Sequence, residues 1–193
     1  PEPWLILDRV YAMLIKKDLK GKNILVSAGP TVEPLDPVRF VSNHSSGKMG
    51  YAIAAAAEKR GASVTLVSGP VNLETPVGVE CIDVQTCDEM ASQMLAGLDR
   101  ADIIIKVAAV ADYKPLDPKT RKIKKRENDK NLSVLMTQNL DILKQIGKKK
   151  TKGQFLVGFA AETDDLEKNA RLKMKKKNLD MIAANRVGSP DSG

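Results

Sequence analysis

The sequence predicts an α/β fold, in which a doubly wound, mostly parallel sheet carries helices on both faces. Three observations lead to this prediction. Short apolar runs alternate along the chain with longer segments whose apolar residues recur at helical spacing. Glycine, proline and small polar residues separate the two kinds of segment, as they do at turns. The length of 193 residues suits one domain of this class.

The first predicted element is a helix within residues 1–18, after an entry that contains two prolines. We interpret this helix as a connector ahead of the main domain, which covers residues 19–193. The apolar residues at helical spacing in the connector are Trp4, Leu7, Val10, Tyr11 and Leu14.

The main domain alternates strands and helices, which is typical of a Rossmann-like three-layer sandwich with right-handed crossovers. Ligands of such sheets bind beyond the carboxyl ends of the strands, at a topological switch point. We therefore expect the functional loops to follow Ser27, Ser68, Ala108 and Phe159. The predicted strands cover residues 23–27, 63–67, 81–84, 102–108, 155–159 and 181–184, and the predicted helices cover residues 50–60, 88–98, 139–146 and 166–177.

Composition excludes several classes of protein. Two cysteines and one histidine are too few for a disulfide framework or a structural zinc site. No apolar run approaches the ~18–20 residues that span a bilayer and nothing resembles a signal peptide, so we expect a cytoplasmic protein without a membrane partner. The net charge of +7 suits either nucleic acid or small polyanions. An aromatic content of 4% leaves few platforms for stacking nucleic-acid bases, which argues against nucleic acid as a partner.

A loop rich in small and hydroxyl residues lies between the first strand and the first helix of the main domain. It contains Gly29 at its start and Ser45, Ser46 and Gly47 at its end. Backbone N–H groups at such a helix start face an anion, and glycine permits close approach. The pattern is neither a Walker A loop nor a dinucleotide fingerprint. The alternative is simple capping of the helix by Ser45 or Ser46.

Charged residues follow the later strands. Asp112 comes after a run of small residues that leave room for a ligand, and its carboxylate suits a ligand hydroxyl. A basic segment around Ile123 would close over phosphates as a mobile lid, unless it is only a solvated charge run. Lys173 and Lys177 lie four apart on one helix face, where they would grip a triphosphate or remain solvated.

Together these segments resemble the phosphopantothenoylcysteine synthetase family, in particular the synthetase half of the bacterial bifunctional decarboxylase/synthetase. The resemblance runs from about residue 19 to the end of the chain. Its most specific part reads AGPT at residues 28–31, EPLDPVR at 33–39 and SNHSSGKMG at 42–50. Supporting segments read VSGP at 67–70, AAVADY at 108–113, KIKK at 122–125, GFAAET at 158–163, NLD at 178–180 and AN at 184–185.

The resemblance implies a CTP-dependent ligase of coenzyme A biosynthesis. In such an enzyme the carboxylate of 4′-phosphopantothenate attacks the α-phosphate of CTP, pyrophosphate leaves, and cysteine then takes the acyl group from the acyl-cytidylate with release of CMP. The resemblance also implies Mg²⁺ with the nucleotide, although no metal ligands are identified. It further implies a homodimer with shared active sites.

The family's functional residues carry over onto matching positions. Asn43 would position the acyl-cytidylate, Arg39 would hold the same intermediate or the substrate phosphate, and Lys122 on the lid would stabilise phosphate charge. The remaining nucleotide-binding candidates are Gly29, Ser45, Gly47, Asp112, Phe159, Lys173 and Lys177, together with the backbone of Lys106, Val107, Ala108 and Ala109 and that of Asn139, Leu140, Asp141 and Ile142.

Two departures from the family accompany the resemblance. Leu140 stands where the family commonly has proline, which affects the conformation of that loop. The resemblance also implies that the family's C-terminal end and its N-terminal flavin-dependent decarboxylase lie outside this sequence, so we expect weaker dimer contacts, no decarboxylase activity and no bound flavin. Two other readings of the sequence are a nucleotide- or flavin-binding module without ligase chemistry and a basic RNA-binding protein, whose binding would depend steeply on salt.

Overall fold

The computed structural model describes residues 2–124, 131–162 and 164–186. Two residues of the segments quoted above lie outside these ranges, namely Lys125 of the predicted lid and Thr163 of the GFAAET segment. The described elements are, in chain order, α1 (Pro3–Leu14), β1 (Asn23–Ala28), β2 (Val32–Pro34), β3 (Phe40–Ser42), α2 (Lys48–Lys59), β4 (Ser63–Ser68), β5 (Glu80–Asp83), α3 (Cys87–Ala96), β6 (Ile103–Lys106), β7 (Tyr113–Pro115), β8 (Met136–Gln138), α4 (Ile142–Lys149), β9 (Phe155–Glu162), α5 (Leu166–Lys176) and β10 (Met181–Arg186).

Six strands form a central sheet in the order β10-β9-β6-β1-β4-β5, and every neighbouring pair is parallel. The chain starts at β1, moves outward to β4 and β5, and then returns to β6 on the other side of β1. This is the order of a doubly wound Rossmann sheet, and the point between β1 and β6 is its topological switch point. The predicted fold class is confirmed.

Two apolar clusters hold the sheet between its helices. On one face, α3 and α4 pack over the sheet through fully buried side chains such as Met90, Met94 and Ile146. On the other face, α2 presents small residues, so the helix lies close to the strands. A Cβ atom on Gly50 would come within 2.5 Å of the Cβ atom of Ala28, which shows how close α2 is to β1.

Most predicted elements agree with the structure to within two or three residues at each end, as expected from sequence. Two of these boundary differences have identifiable reasons. The helix predicted at 139–146 starts at Ile142, because the side chain of Asp141 caps it by accepting the N–H of Lys144 at 3.0 Å. The strand predicted at 102–108 ends at Lys106, because the N–H groups of Val107 and Ala108 both point to the carbonyl of Ser27, which interrupts the ladder.

Two short antiparallel strand pairs, β2–β3 and β7–β8, were not predicted from the sequence. We call these strand pairs, together with residues 116–124, the hairpin arm. Strands of three residues are too short for a readable alternation of polar and apolar residues. The arm carries exposed apolar side chains, namely Val38, Phe40, Val41, Tyr113, Leu116 and Leu135.

The connector predicted at residues 1–18 contains α1, which lies beside the end of α2. Lys59 pairs with Asp8, and Lys17 donates to the backbone carbonyl of Lys59 at 2.6 Å. The domain boundary itself stays a prediction. Among the described residues, no helix has the length and apolar character needed to cross a membrane.

Candidate functional site

The loops that follow β1 and β6 touch each other at the switch point. Pro30 forms a parallel bridge with Ala109, and the N–H of Ala109 donates to the carbonyl of Gly29 at 2.9 Å. Both loops therefore lie at the carboxyl edge of the sheet, where the sequence predicted the functional loops.

Thr31 joins these loops, although the sequence indicated it only as part of the AGPT segment. Its side chain is fully buried, and its hydroxyl accepts the N–H of Ala111 at 3.0 Å. Its carbonyl accepts the hydroxyl of Ser42 at 2.8 Å. Thr31 thus connects the β1 loop, the end of β3 and the β6 loop. The available signal was a hydroxyl residue directly after the glycine and proline that follow the first strand.

Asn43 reaches the β6 loop from the end of β3. Its amide group donates to the carbonyls of Ala109 and Val110, at 3.3 and 3.0 Å. Asp112 follows two residues after Val110, and its side chain is exposed. The amide of Asn43 and the carboxylate of Asp112 therefore stand at the same edge of the sheet, although the sequence separates them widely.

The loop before α2, which contains Ser45, Ser46 and Gly47, lies against Gly29 at the start of the loop that follows β1. Gly47 precedes α2 with a φ of 75°, and a Cβ atom there would meet Val71 at 2.7 Å and Gly29 at 3.5 Å. Only glycine satisfies both the positive φ and this close approach. Ser45 accepts the N–H of Gly47 at 3.4 Å, but within the described structure no side chain caps α2. Capping by Ser45 or Ser46 is therefore not how this helix begins, and its first turn stands at the edge beside Gly29.

The segment before α4 lines the other side of the β6 loop. The amide of Asn139 donates to the carbonyl of Ala111 at 2.8 Å, and its backbone N–H donates to the carbonyl of Asp112 at 2.8 Å. Leu140, which replaces the family's proline, has a partly exposed side chain and offers its carbonyl to the thiol of Cys87 at 3.5 Å. The side chain of Ile142 turns into the core. A ligand at this segment would meet backbone groups and Asn139.

Three lysines, Lys106, Lys173 and Lys177, lie near one another where α4 and α5 approach the ends of β6 and β9, and we call this group the lysine crevice. Lys173 donates to the carbonyl of Phe159 at 2.7 Å, and Lys177 pairs with Asp141 at 3.0 Å. The burial of Asp141 acts to raise its pKa, but the N–H of Lys144 and the ammonium of Lys177 outweigh it, so the pKa is lowered. Asp141 is therefore ionised in this crevice at neutral pH.

Lys106 points into the same crevice from β6. Its ammonium group donates to the carbonyl of Ala108 at 2.6 Å. Burial, followed by the nearby charges of Lys173 and Lys177, lowers the pKa of Lys106 to about 8. The side chains of the next two residues do not lie beside these lysines, because Val107 packs on the α2 side of the sheet and Ala108 is buried in the core.

The hairpin arm holds Arg39 and the segment of Lys122 together. Arg39 forms an ion pair with Asp36 at 2.6 Å and donates to the carbonyl of Ile123 at 2.6 Å. The buried carboxylate of Asp36 also accepts the N–H of Ile123 at 3.0 Å. The predicted lid residues 122–124 are thus attached to the tip of the β2–β3 hairpin.

Within one chain, the arm keeps Arg39 apart from Asn43. The extended strand β3 lies between them, which corresponds to roughly 13 Å at about 3.3 Å per residue. The structure therefore brings the candidates together in two groups. One group lies at the switch point and in the lysine crevice, and the other consists of Arg39 and the Lys122 segment on the arm.

The sheet order and the convergence of loops at its switch point define a Rossmann-type α/β domain with a polar site at the carboxyl edge. The chain belongs to the family described as "DNA/pantothenate metabolism flavoprotein C-terminal domain", whose model matches residues 19–193. The resemblance inferred from the sequence is confirmed.

Individual relatives agree with this assignment. The chain is 48% identical over 192 residues to the coenzyme A biosynthesis bifunctional protein CoaBC of Vibrio parahaemolyticus, covering 100% of this chain and 48% of that protein. It is 49% identical over 194 residues to the CoaBC protein of Escherichia coli, with 100% and 48% covered. The chain thus spans about half the length of these curated relatives.

Solved structures support the same fold. The C-terminal domain of a coenzyme A biosynthesis bifunctional protein CoaBC superposes with a TM-score of 0.77 at 44% identity, covering 86% of this chain and 78% of that one. The DNA/pantothenate metabolism flavoprotein from Streptococcus pneumoniae superposes with a TM-score of 0.76, covering 89% of this chain and 86% of that one. Its sequence identity to this chain is 23%, so this similarity supports the fold alone.

Proposed function

We propose that this domain joins 4′-phosphopantothenate to cysteine, with CTP as the activating nucleotide and an acyl-cytidylate as the intermediate. The observation that carries the proposal is the position of Asn43, whose amide binds the Ala109 and Val110 carbonyls at the switch point. Family membership and the names of the relatives, which place them in coenzyme A biosynthesis, support the same reaction.

The first half-reaction needs positioning and charge stabilisation more than a strong base. The carboxylate attacks the α-phosphorus, the bond to the bridging oxygen breaks, and pyrophosphate leaves with the electron pair. Fixed cations stabilise the charge that moves onto the leaving group. We assign this role to Lys122, while Lys173 and Lys177 hold the nucleotide in the lysine crevice and Asp112 binds a nucleotide hydroxyl.

In the second half-reaction the amine of cysteine attacks the acyl carbon, CMP leaves, and the amine nitrogen loses a proton. Asn43 would hold the acyl-cytidylate at the β6 loop in the orientation that this attack requires. The two carbonyls that fix the amide of Asn43 also limit its rotation, so its oxygen has a defined direction.

A divalent cation is expected to enter with the triphosphate, where it would neutralise phosphate charge. Among the described residues, no group of three or more His, Cys, Asp and Glu side chains is arranged to hold a metal ion. Such a cation is held mainly by phosphate oxygens and water, so a dedicated group of protein ligands is not required.

We further propose that two copies of the chain share each site. The extended strand β3 separates Arg39 from Asn43 of the same chain, and apolar side chains of the hairpin arm, such as Phe40 and Leu135, are exposed. Exposed apolar patches of this kind mark association surfaces. An arm that packs on a second copy would bring Arg39 and Lys122 to that copy's Asn43.

The direct test is a coupled assay with 4′-phosphopantothenate, cysteine and CTP, in which CMP and pyrophosphate are measured separately. The wild-type chain should release both, and absence of CMP formation would reject the assignment. Asn43→Asp should release pyrophosphate and accumulate the acyl-cytidylate without forming the amide. Lys122→Gln should lose pyrophosphate release. Normal release in this variant would show that Lys122 only covers the site and takes no part in the first half-reaction.

Mixing the two inactive variants tests the shared site. If Asn43 and Lys122 of different copies form one site, a mixed dimer contains one intact site, and random mixing restores about a quarter of the sites. If both residues act within one chain, every site in the mixture keeps one defect and activity stays absent.

A further inference from the structure

The hairpin arm is attached to the body of the domain at the start of α3. The backbone N–H of Val32, the first residue of β2, donates to the carbonyl of Gln85 at 2.8 Å. The carboxylate of the next residue, Glu33, accepts the backbone N–H of Cys87 at 2.9 Å. Strand β2 is therefore fixed at the point where α3 begins.

The second strand pair of the arm reaches the same turn of α3. Lys114 of β7 forms an ion pair with Asp88, which lies in the first turn of that helix. The charge of Glu33 also acts on the ammonium group of Lys114. Both strand pairs are thus attached at one place, and Arg39 and the Lys122 segment lie farther along the arm.

Glu33 is not required to define where α3 begins, because the helix carries its own capping box. Thr86 accepts the N–H of Glu89 at 3.2 Å, and the carboxylate of Glu89 accepts the N–H of Thr86 at 3.5 Å. Glu33 is 2% exposed, and burying a carboxylate costs free energy that the positive end of the helix only partly offsets. Its contact with Cys87 therefore serves to link a separate strand to α3.

The two ends of the first hairpin are held in different ways. The hydroxyl of Ser42 donates to the β1 loop at 2.8 Å, and Asn43 donates to two carbonyls of the β6 loop, so the end of β3 is fixed at the switch point. Arg39 and the Lys122 segment are instead held to each other through Asp36. Their position relative to the sheet depends on the attachment at the base of the arm.

We propose that Glu33 is a positioning residue for the first half-reaction, because its buried carboxylate fixes the base of the arm on α3 and thereby the place of Arg39 and Lys122 in the active site. The proposal rests on the proposed function, in which Lys122 stabilises charge on the triphosphate. A displacement of about 1 Å at a catalytic group is enough to cost about a hundredfold in rate. Loss of the attachment should therefore slow the chemical step while the nucleotide stays bound.

The rate of pyrophosphate release at saturating substrates tests this proposal on the whole chain, with CTP affinity measured separately by calorimetry. Glu33→Ala should slow the release about a hundredfold and leave CTP affinity within about twofold of wild type. In Glu33→Gln the amide oxygen can still accept the N–H of Cys87, so this variant should recover most of the rate. A wild-type rate in Glu33→Ala would overturn the inference.

Glu89→Gln is the matched control, because it weakens the cap of the same helix from an exposed side chain. It should release pyrophosphate at the wild-type rate, and a rate as low as that of Glu33→Ala would show that only the stability of α3 matters. Glu33→Asp keeps the charge but shortens the side chain, and it replaces Glu33→Ala if urea unfolding shows that the alanine variant does not fold. It should also slow the release, and a wild-type rate in it would equally overturn the inference.

Mixing variants separates a positioning role from a general loss of structure. Glu33→Ala keeps its own Asn43, so in a shared site its random mixture with Asn43→Asp should restore amide formation at about a quarter of the sites. Its mixture with Lys122→Gln should stay at the low rate, because both defects then lie on the arm.

The outcomes distinguish this inference from the proposed function. If Asn43→Asp regains activity with Lys122→Gln but not with Glu33→Ala, the inference fails and the proposed function stands. If every mixture stays inactive, each site is built from one chain, and the comparison with Glu89→Gln decides. Absence of CMP formation by the wild-type chain would overturn both.

Discussion

The carboxylate of Asp36 accepts the backbone N–H of Ile123 at 3.0 Å, so a buried side chain of one hairpin fixes the neighbour of Lys122. The same carboxylate pairs with Arg39 and accepts the N–H groups of Val38 and Arg39. One residue thus sets the positions of both cations that we assign to the arm.

Replacing Asp36 by Asn should impair the first half-reaction. An amide offers one acceptor where the carboxylate offers two, so the segment of Lys122 should shift and pyrophosphate release should slow. CTP affinity, measured by calorimetry, should change less than this rate. Asp117→Asn is the matched control, because Asp117 lies on the same arm with an exposed side chain. Equal rates of pyrophosphate release in the two variants would show that Asp36 does not position Lys122.

The acid sensitivity of the arm should also depend on Asp36. The N–H of Ile123 is the main cause that holds the pKa of Asp36 below its ordinary value. A carboxyl with a lowered pKa in the folded state contributes stability above its unfolded pKa of about 4 and loses it as the pH falls further. Unfolding by urea at pH values from about 6 to 3 should show a shallower loss of stability in Asp36→Asn than in wild type.

Thr31→Val should uncouple the β1 and β6 loops. Valine has nearly the same shape as threonine but leaves the N–H of the buried Ala111 without its acceptor. An unsatisfied buried donor costs about 1–3 kcal/mol of unfolding free energy, and nucleotide affinity should fall with it. Thr31→Ser keeps the hydroxyl and should lose less stability in urea unfolding. Equal losses in the two variants would show that the methyl group, and not the hydrogen bond, is what matters.

Gly69 directly follows β4 and lies against the loop after β1, so Gly69→Ala should disturb that loop. A Cβ atom on Gly69 would come within 1.7 Å of the carbonyl oxygen of Pro30, so the backbone must move. We expect a loss of about 3 kcal/mol in unfolding free energy, as for an overpacked site, with weaker CTP binding. Gly97→Ala is the control, since its Cβ atom would meet the flexible end of Leu25 at 3.2 Å. Stability of Gly69→Ala equal to that of the control would contradict the prediction.

Lys106 should reduce the stability of the nucleotide-free chain. Its folded pKa of about 8 lies below the ordinary lysine value, so between these values the unfolded chain binds more protons than the folded chain. Wild-type stability should then rise with pH above about 8, while below that pH the cost of the buried charge is fully present. Lys106→Met should be more stable than wild type at about pH 7, with a difference that shrinks toward about pH 10. A stability difference that stays constant with pH would mean that it arises from side-chain packing and not from the charge of Lys106.

Much of the fold could be predicted from local patterns. The alternation of apolar runs and helical segments led to the correct class and to every strand of the central sheet, because buried parallel strands are continuous apolar segments. The hairpins of the arm could not be found this way, and neither could the start of α4, which depends on whether Asp141 or an earlier residue caps the helix.

The candidate site was predictable as residue types but not as an arrangement. Asn43 and the Ala109–Val110 carbonyls are separated by 66 and 67 positions, and the contact exists because β1 and β6 are neighbours in the sheet. Thr31 and Asp36 were not predicted as site residues. The role of a buried polar residue becomes clear only when its hydrogen-bond partners are known, and the partners Ala111 and Ile123 lie far away in sequence. For Lys106 the sequence suggested only a backbone contact.

The sequence by itself determined the fold class, the family and the set of polar groups that follow the strands, since these depend on periodicity and short motifs. Only the tertiary structure decided that Lys106, Lys173 and Lys177 share one crevice and that the arm holds Arg39 away from Asn43. The physical reason is that strand order and helix packing set distances between groups remote in the chain, and such distances control both charge and pKa.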